Sequence, residues 1–155
     1  MQANIRPVRR ADFEQWLILW QGYNEFYGRS GPTALHSDIT TATWERFFDA
    51  YEPVYAFVAE FDGRVAGITH FLLHRSTTAK EPSCYLQDLF TAHDVRGQGV
   101  GRALIQAVYD WAETNDCARV YWQTHETNTI AQRLYDTLAE RSGFIVYRKL
   151  LNIKE

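Results

Sequence analysis

The chain is poor in residues that staple or interrupt a fold: 155 residues include 2 cysteines, 4 prolines and 1 methionine. Cys84 and Cys117 carry neither zinc nor redox spacing, so free thiols in a reducing cytoplasm are expected. No apolar run reaches the roughly 18 residues of a membrane helix. The opening Met1-Gln2-Ala3-Asn4-Ile5-Arg6 also lacks the apolar stretch of a secretory signal, so no membrane association is expected. An excess of positive charge is missing as well. Lys and Arg number 16 against 19 Asp and Glu, a net charge of −3. A nucleic-acid partner needs a basic track, and none is expected here. Repeats, low-complexity tracts and linkers are absent, which predicts one domain over residues 1–155.

What is abundant is apolar and aromatic: 46% of residues are hydrophobic and 15% are Phe, Trp or Tyr. A chain of this length buries roughly two-thirds of its unfolded surface and needs no staples. Ile5 to Arg9 reads as a first strand, with Pro7 suited to an edge. Asp12 is placed to cap a helix from Phe13 to about Tyr27, with Trp16, Leu19, Trp20, Tyr23 and Tyr27 at helical spacing. Gly28 to Thr40 reads as a loop and Thr43 to Ala50 as a short helix. Val54 to Phe61 and Val65 to His74 flank Asp62-Gly63 as a hairpin. Ser76 to Pro82 is a loop, and Tyr85 to Phe90 is a third β-rich run.

The second half alternates. A glycine-rich turn leads into a helix over Arg102 to Thr114, then come a strand over Arg119 to Thr124, a helix over Ile130 to Glu140 and a strand over Phe144 to Leu151. The fold class is therefore α/β, with a mixed central sheet flanked by about four helices.

The turn between strand and helix reads Arg96-Gly97-Gln98-Gly99-Val100-Gly101-Arg102. Glycines let the backbone turn tightly and approach a ligand. The first amides of the following helix lack internal partners and face the positive end of its dipole, which suits a phosphate. A P-loop requires Gly-Lys-Ser/Thr, but Gly101 is followed by Arg102-Ala103. A dinucleotide fingerprint needs glycine where Arg102 or Leu104 stands. A bare glycine turn and an Arg-x-x-Gly-x-Gly anion loop remain open.

Arg96, Gly99 and Gly101 in that spacing resemble the acyl-CoA pyrophosphate loop of the GNAT (Gcn5-related) N-acetyltransferases. Three further segments fit in order. Tyr85-Leu86-Gln87-Asp88-Leu89-Phe90 resembles the strand before the loop. Asn128 followed by Ala131 and Leu134-Tyr135 resembles the helix that carries the leaving-group acid. Ser142-Gly143-Phe144 resembles the turn into the last strands. With Tyr121-Trp122-Gln123-Thr124 ahead of Asn128, the pattern is similar to the branch of histone, polyamine and D-amino-acid acetyltransferases.

The resemblance implies a GNAT-like fold, acetyl-CoA as co-substrate and acetyl transfer to the primary amine of a small molecule, such as a polyamine or an amino acid. Arg96 and the segment Gly97, Gln98, Gly99, Val100, Gly101 and Arg102 would hold the pyrophosphate. The backbone of Leu89, Phe90 and Thr91 would align the pantetheine arm, with the Leu89 N–H toward the thioester oxygen. Asn128 would touch the arm, although its position also suits a helix N-cap. Tyr135 would protonate the departing thiolate, because an unperturbed phenol with a pKa near 10 keeps its proton at neutral pH. On spacing alone Tyr135 reads rather as an aromatic packing residue on an amphipathic helix; Asn128 and Gly99-x-Gly101 in place favour the acid.

The base is open. Gln87 stands where related polyamine enzymes carry Glu, and an amide takes no proton. Asp88 is adjacent but on the opposite strand face unless a bulge changes the parity. His125 and Glu126 lie past the next strand. Tyr23 and Tyr27 are candidates for the acceptor wall, where aromatic faces can hold a cation. His70, His74 and His93 lack metal-ligand spacing, so no metal is expected. The resemblance also implies a homodimer, with Phe144 to Leu151 a candidate for crossing between subunits. A non-catalytic acyl-CoA sensor and a protein-lysine acetyltransferase are the rival readings.

Overall fold

A computed structural model describes residues 2–152. They form two compact units, one running through Gln123 and one beginning at Thr124.

The first unit is built on a five-stranded sheet in the order β1-β2-β3-β4-β5: β1 Asn4–Pro7, β2 Val54–Phe61, β3 Arg64–His74, β4 Ser83–Thr91 and β5 Arg119–Tyr121. β1 to β4 are antiparallel neighbours, and β5 lies parallel to β4. β1 is an edge strand, so the missing N–H of Pro7 costs the ladder nothing. The hairpin between β2 and β3 turns at Asp62 (φ 47°) and Gly63 (φ 84°), the two positive φ values that match strand twist in a two-residue loop.

α1, Phe13–Phe26, lies on one sheet face and carries a ladder of rings. Trp16 stacks on Trp20 at 5.7 Å, Trp20 on Tyr23 at 5.6 Å, and Tyr23 meets Tyr27 at 5.0 Å. Each pair is worth about 0.5–1.5 kcal/mol beyond its buried area. Trp44 of α2, Ser37–Arg46, joins Trp16 at 4.8 Å, and Trp20 Nε1 donates to Thr40 at 3.1 Å. α3, Val100–Thr114, covers the other face. There Trp111 meets Phe71 at 4.9 Å and Tyr55 at 4.6 Å. Gly67 sits under this helix: a Cβ there would come within 3.0 Å of Val100 Cγ1.

Several expectations shift. The Asp12 carboxylate does not cap α1; it accepts from the Arg9 amide at 2.7 Å and from the Arg6 guanidinium at 2.8 and 2.9 Å. A part-buried guanidinium outcompetes a helix end for a carboxylate. The second helix begins at Ser37 rather than Thr43 and ends at Arg46 rather than Ala50, so the loop before it is shorter. His36 Nδ1 accepts from the Asp38 amide at this start, a cap outside the usual Ser, Thr, Asp and Asn set. β5 stops at Tyr121 rather than Thr124.

The second unit carries α4, Thr129–Tyr135, capped by Asn128 Oδ1 from the Ala131 amide at 3.3 Å. A turn continues it through Leu138 and Ala139, whose amides both reach Tyr135 O; the helix is thus shorter than the expected span to Glu140. The expected strand over Phe144 to Leu151 does not form. An apolar run has the composition of a strand, but the ladder needs a neighbour, and none pairs here among the described residues. Phe144, Ile145, Tyr147, Leu150 and Leu151 are left exposed.

Candidate functional site

The site develops from a β-bulge. β3 and β4 pair His70 with Asp88 and then Phe71 with Leu86, leaving Gln87 as the extra residue. The bulge resets the alternation, so Tyr85 and Asp88 both face α1. Gln87 is exposed, while Asp88 is 8% exposed. The carboxylate next to the expected position is therefore the inward-facing one.

Asp88 is held in a chain of buried polar groups. Trp16 Nε1 donates to His70 Nε2 at 2.9 Å, and His70 Nδ1 lies 2.8 Å from Asp88 Oδ2. An indole only donates, so Nε2 is bare and Nδ1 carries the proton that bonds Asp88. Burial, reinforced by the nearby Asp88 carboxylate, pushes the Tyr23 phenol well above its ordinary range. Tyr27, one turn on, is 45% exposed and opens this group to solvent.

Further along the same face, His74 Nδ1 faces the Arg75 carbonyl at 2.8 Å, leaving Nε2 to accept from the Tyr121 hydroxyl at 2.6 Å. Tyr121 packs on Tyr85 at 4.9 Å. Burial, then Tyr121 and Asp88, raises the Tyr85 pKa. None of these histidine roles was legible beforehand, because they depend on which strand pairs where.

The end of β4 and the glycine turn lie in contact through Arg96. Arg96 Nε reaches Thr91 O at 3.3 Å, and its guanidinium carbon sits 5.3 Å over the Phe90 ring. Leu89 precedes them on β4. Gly97 (φ 77°) and Gly99 (φ 83°) both adopt the left-handed region, which a side chain would strain. Val100, Gly101 and Arg102 form the first turn of α3, which carries no acidic residue. The amides of Gly97, Gln98 and Gly99 donate to nothing among the described residues. A cavity of about 320 Å³ opens beside Gln98, Gly99 and Val100, bordered by Gln2 and Phe61. Free amides, a helix N-terminus and neighbouring arginines fit an anionic diphosphate. Cys84 is fully buried, and burial pushes its thiol up to about 12, so it supplies no thiolate at neutral pH.

In the second unit, Asn128 caps α4 and Tyr135 ends it. His125 bonds Thr127 at 2.7 Å, and the Gln132 amide holds the carbonyls of His125 and Glu126 at 3.0 Å each.

Comparison with known proteins gives the family. Residues 16–139 match the profile of the acetyltransferase (GNAT) family. The D-amino-acid N-acetyltransferase HPA3 of Saccharomyces cerevisiae is 31% identical over 148 residues, 94% of this chain and 89% of that protein. An aminoglycoside N(6')-acetyltransferase type 1 of Salmonella typhimurium is 25% identical over 94% of this chain and 98% of its own. Among solved structures, the aminoglycoside N-acetyltransferase AAC(6')-Iy in complex with CoA superposes with a TM-score of 0.76 at 25% identity, covering 95% of this chain and 94% of that one. The chain belongs to the acetyltransferase (GNAT) family and is an N-acetyltransferase with acetyl-CoA as its acyl donor.

Proposed function

We propose that the chain is one acetyltransferase domain over residues 1–155 that moves an acetyl group directly from acetyl-CoA to the primary amine of a small molecule. The observation that carries this reading is the α3 entrance, where left-handed Gly97 and Gly99 leave amides unengaged beside Arg96. Arg96 and the segment Gly97 to Arg102 hold the pyrophosphate. The backbone of Leu89, Phe90 and Thr91 aligns the pantetheine arm, and Asn128 supports it. Acetyl-CoA supplies the activated thioester.

The acceptor nitrogen must be neutral to attack. Asp88 draws the ammonium form and takes its proton, and His70 holds the carboxylate in place. Gln87, exposed on the bulge, is left to the rim. The Tyr135 hydroxyl gives a proton to the departing sulfur. The buried, protonated thiol of Cys84 supports direct transfer over a cysteine-bound intermediate. Tyr23 and Tyr27 wall the acceptor.

The free thiols of Cys84 and Cys117 support a cytoplasmic setting. The exposed apolar run from Phe144 to Leu151 supports a homodimer in which a second copy covers it. Amine-dependent thiol release from acetyl-CoA tests the reaction.

A further inference from the structure

One arginine at the acceptor end has been set in place and given no anion. Arg29 follows α1, two residues beyond Tyr27. Its Nε donates to Asn24 Oδ1 at 2.7 Å, and its amide donates to Asn24 O at 2.8 Å. Asn24 is 5% exposed and is itself fixed by a bond from Nδ2 to Trp20 O at 2.8 Å. The guanidinium carbon lies 5.8 Å from the centre of the Tyr23 ring and 5.4 Å from that of Tyr27. Arg6, Arg10, Arg64 and Arg141 each pair with a carboxylate, whereas none among the described residues pairs with Arg29. A half-buried guanidinium, oriented by a buried amide and stacked on two rings, is prepared for a planar anion.

Asp88 bonds His70, whose ring is anchored by Trp16 and lies 5.3 Å from Trp20, the ring stacked on the same Tyr23. The Asp88 side chain keeps 10% exposure. Across the bulge Tyr85 shares the strand face of Asp88 and belongs to the same cluster. One fixed anion and one fixed cation thus flank a single pair of tyrosines.

We propose that this cluster takes a free α-amino acid, with Asp88 on the ammonium, Arg29 on the carboxylate, and the rings of Tyr23, Tyr27 and Tyr85 against the side chain. The assignment rests on the acetyltransferase reading above and names its acceptor class. Arg29 also selects against the alternatives. A polyamine or aminoglycoside would bring a second ammonium toward a guanidinium, and like charges held close in a half-buried site repel strongly. A lysine side chain of a protein would bring no carboxylate to Arg29 and leave its charge unanswered.

Thiol release from acetyl-CoA would be measured with three matched pairs: alanine and ethylamine, leucine and isoamylamine, phenylalanine and phenethylamine. The amino acids would be run in both hands, with intact wild-type, Arg29→Gln and Arg29→Lys proteins. The readout is the ratio of kcat/KM for the amino acid to that for its decarboxylated amine. Comparing that ratio between proteins cancels the intrinsic reactivity of each amine. The expected result is a fall of at least about tenfold in Arg29→Gln for the best pair, with part of the preference restored in Arg29→Lys. An unchanged ratio in Arg29→Gln overturns the carboxylate assignment while leaving the transferase intact. Silence on every acceptor overturns the transfer reaction itself, and this acceptor site with it.

Discussion

Trp16 decides the tautomer of His70. The indole N–H points at Nε2 from 2.9 Å, so the imidazole proton sits on Nδ1, where it meets the Asp88 carboxylate at 2.8 Å. A helix residue thereby sets the orientation of a carboxylate two strands into the sheet.

Trp16→Phe keeps most of the ring packing and removes the N–H. His70 Nε2 is then a buried acceptor without a partner, a loss of about 1–3 kcal/mol. Chemical denaturation should show this as a lower midpoint. Imidazole nitrogen NMR should show the Nε2 resonance shifting as it loses its donor, while Nδ1 keeps its proton against Asp88. A variant as stable as the parent with an unshifted Nε2 resonance would mean that the indole is only packing.

The α3 entrance gives a second expectation. A Cβ at Gly99 meets nothing within 4 Å, so the cost of Gly99→Ala is conformational, about 1–2 kcal/mol for a residue held at φ 83°. The strain sits where the amides converge, so the rise in Tm caused by acetyl-CoA should shrink more than the Tm of the free protein. Equal thermal shifts in parent and variant would separate this turn from the cofactor.

Much of this architecture was legible in the sequence. Asp62-Gly63 marked its hairpin because two positive φ values leave few residue choices, and the glycine run marked the α3 entrance for the same reason. Two features were hidden for different causes. The bulge at Gln87 is a property of pairing between β3 and β4, residues far apart along the chain, so no local pattern announces it. The span from Phe144 to Leu151 has the composition of a strand, but composition does not supply a partner ladder. Arg29 was missed because its role arises from Asn24 and the α1 ring ladder rather than from spacing.

Acid should unfold the chain partly through Asp12. The Arg6 guanidinium beside it holds the Asp12 carboxyl below the usual carboxylate range. A depressed pKa contributes stability that is full above the unfolded value and is lost as pH falls through the folded one. Stability measured from neutral pH downward should drop on the acid side, below the ordinary carboxylate range. In Asp12→Asn that drop should be smaller and the neutral-pH stability lower. Identical acid limbs would remove Asp12 from the account.

The exposed apolar run near the C-terminus leads to an expectation about assembly. If a second copy covers it, sedimentation of the intact chain at micromolar concentration should give a dimer, and the double change Phe144→Ser, Tyr147→Ser should give a monomer. A parent that sediments as a monomer contradicts the homodimer.

The most direct test of the central claim is thiol release from acetyl-CoA in the presence of small primary amines, with parent and Tyr135→Phe proteins side by side. The predicted result is amine-dependent turnover in the parent. In the Phe variant it should fall by about 10²–10⁴-fold, the usual contribution of a positioned general acid, while the thermal shift produced by acetyl-CoA is kept. Neither thiol release nor a thermal shift from acetyl-CoA would contradict the account at its base.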